Sequence, residues 1–292
     1  MGSEYNKIIM KTAFLFPGQG SQFVGMGKEL YEQHQSVRDV FKSANDIVGY
    51  DLKKLCFEGP ENELVQTKYS QPAILVTSIA QLKTNDLLPD AVAGLSLGEY
   101  TALVCAGCLS FEDGLKLVQK RAELMQEASL SIDGGMSSVI GQDEQTIREI
   151  LKENGDTVDV ANLNCPGQVV ISGIKSDIEK LTPVLHSKGA RKIIPLSVSG
   201  AFHSRYMESA RTGLAPFLEK TQIKSPKITF FANVTGEPVS DPGEIKKYLI
   251  KQVTSSVYWE KTIRQMLAIG IDNFNEVGPG NVLTGLLRRI QK

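Results

Sequence analysis

Histidine is scarce in this chain. Only His34, His186 and His203 occur among 292 residues, so chemistry that needs an imidazole has three places to look. Cysteine is nearly as sparse, at Cys56, Cys105, Cys108 and Cys165. Cys105 and Cys108 form the one C-x-x-C, but alanine and glycine flank it in a helix-compatible stretch. Small helix-packing residues explain that spacing better than a metal or redox pair. This usage excludes a disulfide scaffold and suits a reduced, cytosolic compartment. No apolar run approaches the ~20 residues needed to span a bilayer. The opening "MGSEYNKIIM" lacks a secretory apolar core, and residues 1–10 read as a leader or an added segment with Met10 as the natural start. An excess of one charge is missing too. A net charge of −1 gives no global attraction for nucleic acid or an anionic membrane, so electrostatic recognition has to be local.

What is present is an ordinary soluble composition, 41% hydrophobic and 22% charged, in a chain long enough for one large or two modest domains. Strand-like runs occur at 12–16, 90–94, 134–141, 168–173, 192–198, 228–234 and 272–278. Helix-period segments separate them, among them 25–48 and 111–128. That alternation predicts an α/β fold with a mainly parallel sheet. From Gly134 to Val198 the order becomes strand, acidic helix (143–154), strand pair around "NCPGQ", helix (175–188), strand. A β-α-β-β-α-β order of this kind predicts a small ferredoxin-like subdomain. We place it at 131–198, inserted into a discontinuous large domain at 11–130 and 199–292.

Residues 94–100 read "GLSLGEY" after the apolar "DAVA". Gly94-x-Ser96-x-Gly98 is the pattern of a nucleophile elbow, where glycines leave room for a strand and a helix to approach at a strained turn. Five residues alone also admit an ordinary serine between packing leucines. A serine nucleophile needs a base. His34 lies on a polar helix and His186 near a helix end, which suits solvated side chains. His203, in "VSGAFHS", follows a strand and opens a helix, where α/β proteins gather functional groups. We take His203 as the base, against a capping or core histidine.

Arg121 stands four residues after Leu117 and three before Leu124, on their helix face. It either snorkels, pairs with a buried acid, or presents its fork to a substrate carboxylate. The loop "FPGQGSQ" is no P-loop, and Phe23 breaks the dinucleotide spacing of glycines. A backbone N–H of this loop instead suits an oxyanion hole shared with the amide of Leu97.

Together "FPGQGSQFVGMG", "GLSLGEYTAL", "KRAELMQEA", "NCPGQVVISG", "VSGAFHS", "FFANVTG" and "EVGPGNVLTGL" resemble, in order, the motifs of malonyl-CoA:acyl carrier protein transacylases. The resemblance runs from about Lys11 to the C-terminus. It implies a hydrolase-like large domain crossed by the ferredoxin-like subdomain, and ping-pong transfer of a malonyl group for fatty acid synthesis. By the same resemblance Ser96 takes the acyl group, His203 activates it, and the amides of Gln19 and Leu97 hold the oxyanion. Arg121 pairs with the malonyl carboxylate, and the backbone carbonyl of Gln252 orients the histidine. Asn164 and Asn233 match asparagines near the site, and Phe202 matches a pattern associated with malonyl rather than branched units. Many relatives carry histidine where this chain has Leu95, which puts a polar role for that position in doubt.

The implied partners are malonyl-CoA and acyl carrier protein, with no nucleic acid, no membrane, no metal and no cofactor, in a cytoplasmic monomer. Two rivals stand beside this reading. One is a free-standing acyltransferase or acyl hydrolase serving a polyketide synthase. The other is a carrier-binding scaffold with a dead site, which would require loss of Ser96, His203 or Arg121.

Overall fold

The computed structural model describes residues 10–292. The expectation of a leader falls, but for Met10, outside them. Described in chain order, the strands are β1 (Lys11–Phe16), β2 (Ala91–Gly94), β3 (Gly134–Ile140), β4 (Val158–Cys165) and β5 (Gln168–Ile174). After these come β6 (Lys192–Pro195), β7 (Thr229–Ala232), β8 (Glu237–Pro238) and β9 (Ile271–Glu276). One sheet has the order β8-β7-β2-β1-β9 and the other β4-β5-β3-β6.

The larger sheet is parallel at β1–β2, β1–β9 and β2–β7, with only β8 antiparallel. Parallel strands need crossovers, and the helices that supply them cover both faces. The pleat shows which residues serve which face. Phe14, Phe16, Val92 and Phe230 pack into one core, while Ala13, Leu15, Ala91, Ala93 and Phe231 pack into the other. That period-2 split with both sides apolar is the reason these strands read as continuous hydrophobic runs.

The smaller sheet is antiparallel throughout, in the β-α-β-β-α-β order that the sequence predicts. Val139, Val169 and Ile171 face its own two helices, against Ile147, Leu181 and Leu185. Met136 and Val170, on the opposite face, join the core of the larger unit. Val257 fastens the two together: its N–H donates to Ala161 O at 2.8 Å and its carbonyl accepts from Leu163 N at 2.9 Å.

Two local expectations change. The helix expected over 25–48 is two helices, Lys28–Gln33 and Gln35–Val48, broken at His34, whose backbone is extended (φ −123°, ψ 127°). The first of them has no fully buried residue to hold it in line with the second, whose buried face begins at Val37. The strand expected over 192–198 ends at Pro195. Proline cannot donate to a ladder, and beyond it Val198 N bonds Leu196 O at 2.9 Å in a tight turn. That turn brings Leu196 and Val198 to the cavity described below.

Candidate active site

The end of β2 places the candidate nucleophile, Ser96. Ser96 has φ +51°, a left-handed conformation that costs an L-residue ~1–2 kcal/mol. Its neighbours show why glycine is needed. A Cβ on Gly94 would lie 1.9 Å from the Gly98 carbonyl, and one on Gly98 would lie 2.1 Å from Phe16 O. Both sides of the Ser96 peptide are gripped. Asn233 Oδ1 accepts from Ser96 N at 2.7 Å, while Gln252 Nε2 donates to Ser96 O at 2.8 Å. Asn233 Nδ2 also donates to Gly94 O at 2.7 Å. Gly98→Ala is expected to lower stability by at least the ~1–3 kcal/mol typical of overpacking, because the opposing atom is backbone. A thermal melt unchanged from the parent would contradict this close-approach account.

The turn after Val198 places the candidate base, His203. His203 is buried, with φ +57°, and its Nε2 lies 2.7 Å from Ser96 Oγ. Its Nδ1 lies 2.8 Å from the backbone carbonyl of Gln252. A carbonyl only accepts, so Nδ1 carries the proton and Nε2 is the acceptor for the serine hydroxyl. Burial, followed by the nearby Arg121 cation, lowers the histidine pKa to about 4, so the ring is neutral at physiological pH. His34 and His186 are exposed and distant from this pair, as expected.

Arg121 comes from the helix Phe111–Leu130 and is 1% exposed, which removes the snorkelling alternative. Its Nη2 donates to Ser96 Oγ at 2.9 Å and to Gln252 Oε1 at 2.8 Å. Its Nη1 donates to Gln71 Oε1, on the buried helix Thr67–Leu82, and its Nε has no partner among the described residues. The Tyr100 ring lies 5.7 Å from the guanidinium carbon. Burial pulls the arginine's pKa down, and Tyr100 and Glu99 oppose the shift. Among the described residues no carboxylate pairs with it directly, and the buried Glu99 reaches it only through Gln252.

Ser96, His203 and Arg121 meet in a cavity of about 260 Å³ between the two sheets. Gln19, Leu95, Leu97, Asn164 and Phe202 also line it, so the sequence brings nearly all its candidates to one place. The amides of Gln19 and Leu97 make no hydrogen bond to another described residue, while the Gln19 side chain is held by Thr67 Oγ1 at 3.2 Å. The buried Asn164 Oδ1 likewise lacks a partner. Asn233 and Gln252 lie outside the cavity lining: Asn233 sits behind the elbow as a backbone clamp, and Gln252 holds Ser96 O and His203 Nδ1.

Sequence reasoning missed Glu99 and Gln71. Glu99 is 1% exposed directly beneath the nucleophile, with one oxygen accepting from Asn233 N at 2.9 Å and the other from Gln252 Nε2. Burial raises its pKa to about 7, against the opposing pull of those donors and of Arg121. Its signal was its place in "GLSLGEY", one helical turn after Ser96, where the chain has no solvent side. The four cysteines are free, and no His/Cys/Asp/Glu cluster fit for a metal occurs among the described residues. No helix among them is long and apolar enough to cross a membrane.

Comparison with known proteins places this geometry in context. The acyl transferase domain family matches the chain over residues 13–292. The malonyl CoA-acyl carrier protein transacylase of Bacillus subtilis (strain 168) is 43% identical over 288 residues, 97% of this chain and 91% of that protein. The crystal structure of an acyl carrier protein S-malonyltransferase from Vibrio cholerae superposes with a TM-score of 0.92 at 40% identity, covering 96% of this chain and 94% of the other. A malonyl-transacylase solved with the acyl-carrier protein of a type II polyketide synthase also gives 0.92, at 38% identity over 96% of this chain and 93% of its own.

Proposed function

The chain belongs to the acyl transferase domain family, and from that premise we propose that it carries malonyl from malonyl-CoA to the phosphopantetheine thiol of an acyl carrier protein. In this reading it works in fatty acid synthesis, as a cytoplasmic monomer that uses no metal or cofactor. Its large domain is 11–130 with 199–292, and 131–198 is the inserted subdomain; the two separate sheets support that division.

The chemistry follows from the hydrogen bonds. Ser96 Oγ attacks the thioester carbonyl carbon as its proton passes to His203 Nε2, and the carbonyl oxygen becomes an oxyanion facing the amides of Gln19 and Leu97. The C–S bond then breaks, and the CoA sulfur leaves with the proton from His203. The carrier thiol repeats the sequence on the malonyl-Ser96 ester, giving its proton to His203 and returning Ser96 to its hydroxyl form. Gln252 O holds the imidazole through both halves, in the place an acidic residue takes in other triads.

One observation carries the substrate assignment: a buried guanidinium, in direct contact with no carboxylate among the described residues, sits 2.9 Å from Ser96 Oγ. Glu99 reaches this guanidinium only through Gln252, so a carboxylate on the acyl group would be its one direct counter-charge, met with fork geometry. A plain acyl hydrolase has no use for it. The dead-site scaffold reading is disfavoured because Ser96, His203 and Arg121 are all present and in contact. The likeness to a transacylase of a polyketide carrier supports a second reading, in which the same reaction serves a polyketide pathway.

The test is direct. After incubation with malonyl-CoA and an acid quench, peptide mass spectrometry is expected to find the malonyl mass on Ser96. An adduct confined to a cysteine would overturn the assignment.

A further inference from the structure

Among the described residues the buried arginine, histidine and acidic side chains are Arg121, His203 and Glu99, and the reaction above uses only the first two. Glu99 accepts from two donors on opposite oxygens, Asn233 N and Gln252 Nε2. Those partners are the ones that grip Ser96: Asn233 Oδ1 takes its N–H at 2.7 Å, and Gln252 Nε2 gives to its carbonyl at 2.8 Å. Gln252 further accepts from Arg121 and, through its backbone carbonyl, holds His203. Both backbone holds on the strained serine, the carbonyl that holds its base and one of the arginine's acceptors therefore belong to residues bound by one carboxylate.

We propose that Glu99 is the positioning residue of the site, an acceptor-only clamp that fixes Asn233 and Gln252 on either side of the Ser96 backbone. The inference rests on the acyl-transfer reading, and concerns how that reaction's geometry is held.

The chemistry of the clamp makes it specific. Only an ionised carboxylate offers an acceptor to both donors. A glutamine, or a protonated glutamate, presents a donor to one of them, and two opposed N–H or O–H groups push apart in a buried site. Either change frees Asn233 or Gln252, and the serine loses one of its two backbone holds. The titratable groups around Glu99 are Arg121 from the helix Phe111–Leu130, His203 from the turn before Arg205, and Tyr100 on its own helix. His203 is neutral until about pH 4, and Tyr100 is pushed above its ordinary range, so neither titrates near neutrality. Glu99, lifted by burial to about 7, does. The sign follows: the clamp exists with Glu99 ionised and is lost as pH falls, at a pH well above the one that protonates the base.

The experiment is the single-turnover rate of Ser96 acylation by malonyl-CoA between about pH 5 and 8, in the parent and in Glu99→Gln. The parent is expected to slow as pH falls through about 7. The variant is expected to be slow throughout, about 100-fold below the parent at the alkaline end, and flat across the range. A variant as fast as the parent, or one that is slow but keeps the parent's pH limb, overturns the proposal. If Glu99→Gln does not fold, Gln252→Ala carries the same test, since it removes one clamped side chain and leaves the carbonyl that holds His203. Its acylation is expected to be slow with the limb weakened, since only the Asn233 half of the clamp still titrates, and acylation at the parent's rate counts against the clamp. Absence of any acylation in the parent would instead refute the acyl-transfer reading, which keeps the two failures distinct.

Discussion

Arg121→Ala is expected to reverse the enzyme's choice between malonyl-CoA and acetyl-CoA. The guanidinium is 1% exposed, and its Nη2 already touches the oxygen that will carry the acyl group. A malonyl carboxylate two bonds beyond the ester carbonyl falls within its reach, and the pair forms where water does not compete. Removing one partner of a buried, hydrogen-bonded charge pair typically costs ~2–5 kcal/mol. The corresponding loss in kcat/KM for malonyl-CoA is on the order of 30- to 5,000-fold. Acetyl-CoA has no carboxylate and draws nothing from the arginine. For it the substitution is expected to be neutral or helpful, since a buried cation no longer has to be satisfied by Ser96 Oγ, Gln71 and Gln252. The measurement is kcat/KM for both thioesters in both proteins, with a carrier protein as acceptor. Equal losses on the two substrates would make Arg121 a structural residue, and the malonyl assignment would then stand on similarity alone.

His203→Ala is expected to slow acylation by about 10²–10⁴-fold, the range for removing a positioned general base. The hydrogen bonds give the reason. Ser96 Oγ has two neighbours, His203 Nε2 and Arg121 Nη2, and only the imidazole can take a proton. Without it the serine proton has no acceptor within 3 Å. Folding should survive, because the loss removes one hydrogen bond to the Gln252 carbonyl from a turn that Ser204 also holds, through its bond to Ala201 O at 2.5 Å. His34→Ala and His186→Ala serve as controls, with rates within about twofold of the parent for exposed substitutions. A silent His203→Ala beside a damaging control would move the base elsewhere.

Much of this site was legible before the structure because its chemistry demands rare residue types at special turns. Two glycines around a serine mark a close backbone approach, and three histidines leave little choice of base. An arginine on a leucine stripe left three readings open, and only burial removes the snorkelling one. Strand and helix alternation made the two-sheet architecture readable, since hydrophobic period carries that information. What stayed hidden depends on burial set by distant elements. Glu99 opens a helix, where a carboxylate is ordinary, and nothing local says that residues 233 and 252 will seal it from water. Gln71 is one of several buried polar residues on a helix buried nearly all round, with no period to single it out. The break at His34 was equally hidden, because a polar stretch with helical propensity does not record which of its turns lacks a packing partner.

Ser96 and His203 share one backbone peculiarity, a left-handed φ of +51° and +57° in residues that carry a Cβ. Each costs the folded chain ~1–2 kcal/mol relative to glycine, which meets no such penalty. Selection for heat resistance and selection for turnover therefore pull in opposite directions at these two codons. A mutant library enriched by melting temperature alone will drift toward Ser96→Gly and His203→Gly, accumulating sturdy proteins with no nucleophile or no base. Stabilising this enzyme calls for changes far from both turns, and any screen has to read product as well as survival.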